Sequence, residues 1–304
     1  MIRFRIIVVC LTAAFLPGAT GPSAAPGGKG FASPEAAAKA LVSAAKSNDV
    51  NALAEILGPS AKAILSTSDP VADRKLRQQF AARASEKMRI VRTNGRANER
   101  TLLAGKDDWP MPIPIVEVGG KWYFDTARGR QEILNRRVGS NELDAIEVCR
   151  GYVEAQNNYA EENHTGLGIP YYAQKIISSP GKRDGLYWAG EPGEGPMDKI
   201  VAAAFAEGYT HRGQPYHGYY FKVLTAQGAN APGGEKSYIN DGEMTKGYAL
   251  IAWPANYGST GVMTFLVDKT GIVYEKDLGR RTAAIASRYS AYDPDATWKP
   301  VTQP

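Results

Sequence analysis

Leu143, Ile146, Cys149, Tyr152, Val153 and Tyr159 keep one mostly apolar stripe over about five turns of helix, and the chain beyond them changes to short strand-like segments. A long helix with a single apolar stripe has to bury it, and the following sequence supplies a sheet to bury it against. Four strand candidates come after the helix: Gly218 to Thr225, Tyr248 to Trp253, Val262 to Val267, and Ile272 to Glu275. Asp268-Lys269-Thr270-Gly271 has hairpin chemistry, and the segment from Asn256 to Gly261 makes a longer turn. The second half of the chain is therefore expected to be one long helix with a four-stranded antiparallel meander.

The first half is built from different material. Of the sixteen tyrosines only Tyr123 precedes Tyr152, and the stretch from Phe31 to Ala84 is crowded with alanine instead. Ser33-Pro34-Glu35 is a helix start, with a capping hydroxyl, proline at the first helical position and an acid in the first turn. Ala37, Ala38, Leu41, Val42 and Ala45 follow at helical spacing. Asn48-Asp49 then opens a second helix that carries Leu53, Ile56 and Leu57 and stops at Gly58. A third helix is expected from about Pro70 to Lys87, followed by strands at Met88 to Thr93, Thr101 to Ala104, Pro112 to Val118 and Lys121 to Asp125, with Gly119-Gly120 as the hairpin signal. Both halves are α+β. Ala127 to Val138 reads as helical and ends at Gly139, so the expected division is an α+β module at 31–139 and a second at 140–304.

Ahead of both lies a leader. Met1 to Arg5 carries two arginines, an apolar run follows from Ile6 to Leu16, and small residues with helix breakers continue to Ala25. These are the three regions of a secretory signal at 1–25, so the mature chain is expected to be periplasmic or secreted. Pro17-Gly18 ends the apolar run well short of the roughly 20 residues a membrane span needs, and no transmembrane segment is expected after cleavage. Losing Arg3 and Arg5 takes the net charge from +5 to +3, and the remaining cations are scattered rather than striped, so nucleic acid is not an expected partner. Cleavage also removes Cys10 and leaves Cys149 alone. That thiol is either reactive or, from its neighbours Ile146, Tyr152 and Val153, a small hydrophobe on an apolar helix face.

Chemistry-bearing residues are sparse. The three histidines are His164, His211 and His217. Glu161 and Glu162 with His164 could supply metal ligands, but adjacent acids on a helix diverge. Asp293 and Asp295 near the C-terminus, with Asp277, are candidate oxygen ligands for calcium, against a default role in turns. No other cofactor is implied: there is no P-loop, dinucleotide fingerprint or paired-cysteine motif, and Gly258-Ser259-Thr260-Gly261 sits between strands, not at a strand-to-helix elbow. What stands out is aromatic. Tyr171, Tyr172, Tyr187, Trp188, Tyr216, His217 and Tyr219 lie in or beside a tract rich in glycine and proline, where rigid rings with a polar handle suit a protein surface or a cell-envelope glycan. The alternative is that these rings close the core of a loop-rich domain. Arg136, Arg137 and Glu142 are expected to form a guanidinium–carboxylate fork that orients the two modules.

The strings GRQEILNRRVGSNE (Gly129 to Glu142), AQNNYA (Ala155 to Ala160), GKRDGLYW (Gly181 to Trp188), GYYFKVLTAQG (Gly218 to Gly228), AWPANYGSTGVMTF (Ala252 to Phe265) and VYEKDLG (Val273 to Gly279) resemble the bacterial exported family filed as domain of unknown function 2950. That resemblance carries no activity with it. More loosely, the helix with Ala155-Gln156 and Tyr159, the Gly-Tyr-x-Phe strand and the strand ending in Ala-x-Pro are similar to the globular heads of type IV pilins and pseudopilins, here without the polymerising stem. The first module resembles the cystatin-like or nuclear-transport-factor-like fold by helix order and the ending GGKWYFDT (Gly119 to Thr126). Together these imply a non-enzymatic binding or envelope-assembly protein. The alternative is a periplasmic hydrolase or metal-dependent enzyme using acids and histidines of the 161–220 loop.

Overall fold

The computed structural model describes residues 26–162, 169, 171–188, 195–197, 200, 204, 209 and 213–302. The expected leader, most of a short alanine-rich helix that the sequence suggests from Pro196 to Glu207, His164 and His211 lie outside these residues. The described chain is mixed helix and antiparallel sheet, and its buried apolar side chains fall into two clusters.

The first cluster forms where local signals are strongest. Helix α1 (Pro34–Lys46) starts at Ser33, whose side chain accepts from the Ala36 N–H, and buries Ala37, Ala38, Leu41 and Ala45. Helix α2 (Val50–Leu57) is capped by Asp49 and ends at Gly58, which sits at φ 76° where a side chain would be strained. A turn and the short helix α3 (Lys62–Leu65) come next, then α4 (Pro70–Glu86) with Asp69 as its cap. These helices cover a sheet in which β1 (Met88–Arg92), β2 (Glu99–Ala104), β4 (Ile115–Val118) and β5 (Lys121–Phe124) lie in that order, with the two-residue β3 (Trp109–Pro110) also paired to β2. Neither β3 nor α3 has a sequence signal of its own. Each is too short for a period, and tertiary contact holds it in place.

The expected break at Gly139 does not occur. Helix α5 runs unbroken from Thr126 to Glu161, 36 residues or about 54 Å of axis. Gly139 is absent from the left-handed residues, so it ends nothing, and the helix is held by packing on both sides of it. Leu134 belongs to the first cluster, while Ala145, Ile146, Cys149 and Tyr152 belong to the second. Burial of that size outweighs the roughly 1 kcal/mol that glycine costs a helix relative to alanine. A Cβ added at Gly139 meets nothing within 4 Å. Gly139→Ala is therefore expected to stabilise the protein by about 0.5–1 kcal/mol in urea denaturation. A destabilising result would place a bend at this point.

Beyond α5, β6 (Tyr219–Leu224), β11 (Ala249–Pro254), β12 (Met263–Asp268) and β13 (Val273–Asp277) form the expected antiparallel meander, within one or two residues at each end. A two-residue strand, β14 (Lys299–Pro300), adds to its β13 edge. Between β6 and β11 two small ribbons intervene, β7 (Ala226–Gln227) with β8 (Lys236–Ser237) and β9 (Ile239–Asn240) with β10 (Glu243–Met244). The stripe of α5 packs on the sheet from Ala145 onward. Leu143 is the exception, left 55 % exposed. Cys149 lies within the stripe, wholly buried, and burial pushes its thiol up to about 12. The thiolate is the reacting species, so a thiol reagent is expected to label Cys149 only as fast as the protein unfolds. Rapid labelling of the folded protein would contradict this burial.

The fork expected from Arg136, Arg137 and Glu142 is replaced by three separate arrangements. Arg136 pairs with Glu132 on its own helix at 2.6 Å, and Arg137 donates to backbone carbonyls. Glu142 accepts from the Val262 and Met263 N–H groups at 2.8 and 3.0 Å, joining α5 to the start of β12. The first half is also tied to the second by the Ser68 N–H and hydroxyl on Asn256 Oδ1, and Asn141 Nδ2 donates to the Thr260 carbonyl. Side-chain to backbone bonds satisfy groups that strand starts and loops leave open, and a sequence gives no sign of them.

Candidate functional site

Helices α1 to α4 do not fill the space against α5. They leave a cavity of about 370 Å³, within the few hundred cubic ångströms of ordinary small-molecule sites. Leu41, Leu53, Leu57, Ile64 and Ile113, all buried, make its apolar wall. Leu76, 44 % exposed, and the half-buried Phe80, Trp109 and Ile133 stand toward solvent. The cavity is therefore open to solvent along this edge, with a lining that is mostly apolar.

Polar groups gather where α3 ends. Its last carbonyls have no helical partner, and two arginines take them. Arg77 Nη1 donates to Leu65 O at 2.8 Å, while Arg137 Nη2 donates to Ile64 O at 2.6 Å and its Nη1 to Ala63 O at 3.2 Å. Arg77 Nε goes to Asn48 Oδ1 at 2.7 Å. Arg137 is only 8 % exposed, and its Nε is buried with no hydrogen-bond partner. Asp73 lies beside them, accepting from the Thr67 N–H at 2.6 Å and from the Thr67 hydroxyl at 3.1 Å. Burial pushes its carboxyl above the usual range, against the pull of the Thr67 N–H and of Arg137. Arg136 completes the polar side, its guanidinium 5.2 Å from the centre of the Trp109 ring.

The far wall comes from the second half of the chain. Tyr216 and Tyr219 exchange backbone hydrogen bonds across His217-Gly218, and both central residues have positive φ, 46° and 75°. This is the two-residue turn that favours glycine at its second place and tolerates histidine at its first. It delivers the His217 ring to α5, with Nδ1 2.7 Å from Asp144 Oδ2. The turn is anchored by Asp69, whose Oδ2 accepts from the Gly218 N–H at 2.8 Å and the Tyr209 hydroxyl at 2.9 Å while its Oδ1 caps α4.

The expected aromatic surface is largely interior. Tyr219 is wholly buried and donates its hydroxyl to Met263 O at 2.9 Å. Tyr171 and Trp188 are buried too, Trp188 with its ring N–H on Gly185 O and the Arg183 guanidinium 4.3 Å over its face. Half-buried Tyr172 packs edge-on against Tyr248, and Tyr187 bridges to Ile177. A tyrosine hydroxyl or indole N–H that finds a carbonyl inside the fold is buried at little cost, which is why ring-rich sequence does not by itself mark a surface. Tyr216 and His217 reach cavities: His217 lines the one described above, and Tyr216 lines a second, of about 490 Å³, with Tyr220 and Phe221.

The three aspartates proposed for calcium do not converge. Asp277 accepts from the Tyr257 hydroxyl and the Gly279 N–H, Asp293 from the Asn230 N–H, and Asp295 from Thr297 beside Lys276. Each serves its own turn. Among the described residues no three His, Cys, Asp or Glu side chains are grouped to hold a metal ion. Asp69, Asp73, Arg77 and Asp144 carried no site signal in the sequence. Asp69-Pro70 is a helix start and could have marked the cap, but nothing local identifies its partners beyond position 200.

Among the described residues no helix is long and apolar enough to cross a membrane. A family model described as Protein of unknown function (DUF2950) matches residues 28–301. No curated protein and no solved structure matches the chain.

Proposed function

The chain belongs to the DUF2950 family of proteins of unknown function, and on that premise we propose that it is an exported, non-enzymatic binding protein that holds a small, largely apolar molecule in the cavity beside α5. The observation that carries this reading is the cavity itself, about 370 Å³ with a wall of buried leucine and isoleucine and polar groups where α3 ends and at the His217 turn. A few placed polar groups in an apolar pocket are what fixes a ligand's orientation. Export rests on the leader read at 1–25. The likeness to a pilin head rests on a helix laid on an antiparallel meander, and it supports a partner-binding role for the second half in the envelope. With most of the aromatic set in the interior, that role is the weaker candidate for the site.

Titration with the neutral fluorophore N-phenyl-1-naphthylamine tests the reading. One saturable site per chain is expected, abolished by Ala72→Trp, which places a large ring from α4 into the cavity. Unchanged binding in that variant would put the site elsewhere.

A second reading, a hydrolase, is favoured by one observation: Asp144 and His217 are hydrogen-bonded in the wall of the same cavity. A carboxylate on Nδ1 holds an imidazole ready to act as a general base through Nε2. Turnover of p-nitrophenyl esters that disappears in His217→Asn, with the fluorophore still bound, would select this reading. Equal background rates in both proteins would remove it.

A further inference from the structure

The outer edge of β6 is covered at both ends and open in the middle. Tyr219 exchanges backbone hydrogen bonds with Tyr216, and the Thr225 carbonyl accepts from the Tyr238 N–H at 2.8 Å. On the opposite edge the Gly218 carbonyl accepts from the Ala255 N–H, in register with the pairing of β6 and β11. Successive residues of an antiparallel strand turn their backbone groups to alternate sides. Tyr220, Lys222 and Leu224 therefore bond to β11, while Phe221 and Val223 face outward. Among the described residues nothing bonds to the N–H or the C=O of either. Both residues line the cavity of about 490 Å³, whose apolar wall includes Val148, Ile176, Ile177 and Met197. The stretch from Tyr219 to Thr225 is about 20 Å of strand.

We propose that this gap docks an extended segment of a partner polypeptide, added antiparallel to β6, in which one acidic side chain stands between two apolar ones. Unpaired strand groups at every second residue are the template for an added strand. Two guest residues, one opposite Phe221 and one opposite Val223, satisfy all four groups. Their side chains fall on the face of Phe221 and Val223, where the cavity is apolar. The guest residue between them stands beside Lys222 on the other face. Lys222 Nζ donates to Ser287 O at 3.0 Å and Tyr289 O at 2.8 Å, two of the three donors of an ammonium, and it meets no carboxylate among the described residues. Lys175 is already paired with Asp184, and no described carboxylate lines the cavity. Lys222 thus selects the acid. It also disfavours a second copy of this chain, because symmetric pairing of two β6 edges sets two Lys222 side chains face to face. The inference is separate from the ligand of the cavity beside α5 and gives the second half a class of partner.

The test titrates the nitrogen-labelled full chain with the peptide acetyl-Ser-Val-Glu-Val-Ser-amide and follows backbone amides by NMR. The Phe221 and Val223 amides are expected to shift and to gain protection from solvent exchange. The matching Val-Lys-Val peptide should bind about fivefold more weakly, the scale of a cross-strand charge pair. Methylating the nitrogen of either valine removes a donor that faces β6 and should cost about tenfold, whereas methylating the glutamate nitrogen, which faces away, should cost about threefold or less. Lys222→Glu should reverse the order of the two peptides. Val223→Pro deletes only an outward N–H, as an edge strand tolerates, and should weaken the Val-Glu-Val peptide about tenfold. No shift at Phe221 and Val223, equal binding of the two peptides, or an unchanged order in Lys222→Glu overturns the proposal. So does a peptide-free protein in which those two amides are already protected, which assigns the edge to the chain's own residues if it sediments as a monomer and to a second copy if it sediments as a dimer. Binding of N-phenyl-1-naphthylamine is scored separately, so either site can fail without the other.

Discussion

Asp69→Ala is expected to cost about 3–5 kcal/mol of stability in urea denaturation, several times the cost of removing a comparable cap elsewhere in the protein. The carboxylate is 1 % exposed and accepts three hydrogen bonds, from the Ala72 N–H at 2.9 Å, the Tyr209 hydroxyl at 2.9 Å and the Gly218 N–H at 2.8 Å. Alanine leaves all three donors without that acceptor: one is in the turn that carries His217, and another, the Tyr209 hydroxyl, accepts from the His217 N–H. Each unsatisfied buried donor costs about 1–3 kcal/mol. Asp49 provides the control, because it caps α2 through the Ala52 N–H alone and is exposed. Asp49→Ala should cost about 1 kcal/mol. Equal losses in the two variants would mean that the bonds between α4 and the His217 turn contribute nothing, and that the cavity wall they hold is not fixed.

Gln156→Leu is expected to cost about 3–4 kcal/mol. Gln156 is wholly buried on α5, and its amide behaves as a strand partner for one residue of the loop: Oε1 accepts from the Ala173 N–H at 2.8 Å and Nε2 donates to Ala173 O at 2.7 Å. Nε2 also reaches the Tyr152 hydroxyl, which donates in turn to Ala249 O in the sheet. Leucine fills the volume and strands the backbone of Ala173, also buried, with no acceptor or donor. Gln131, exposed and bonded only to Asn135 four residues on, is the matching control, and its replacement by leucine should stay within about 0.5 kcal/mol. A neutral Gln156→Leu would show that the loop from Tyr171 is held by its rings alone.

What could be read from the sequence was whatever is settled within a few residues. Ser33 before Pro34, Asp49, and Gly58 at the end of α2 are local capping devices, and each works in the fold as its residue type implies. Turn chemistry at Gly119-Gly120 and at Asp268 to Gly271, between alternating segments, placed the strands of both sheets. Position 139 shows the limit. Gly139-Ser140 is a stop signal by propensity, and packing on both sides of it overrides the signal.

The site was legible only in fragments. His217 stood out because histidine is rare in this chain, yet its partner Asp144 lies 73 residues away and Asp69 lies 149 residues from Gly218. Neither separation leaves a pattern to find. Tyr171, Trp188 and Tyr219 looked like a binding surface because their rings are amphipathic, and the same property lets them be buried with their polar ends satisfied. The cavity was invisible for a simpler reason. Leu41, Leu53 and Ile113 have the spacing of ordinary core residues, and a sequence does not record whether the facing side chains meet.

Calorimetric titration of N-phenyl-1-naphthylamine into the wild-type protein and into Ala72→Trp, repeated at three temperatures, measures the central claim directly. A preformed apolar cavity predicts one site per chain with a negative heat-capacity change, present in the wild type and lost in Ala72→Trp at unchanged melting temperature. Binding to both proteins alike, or no heat at any temperature, would contradict it.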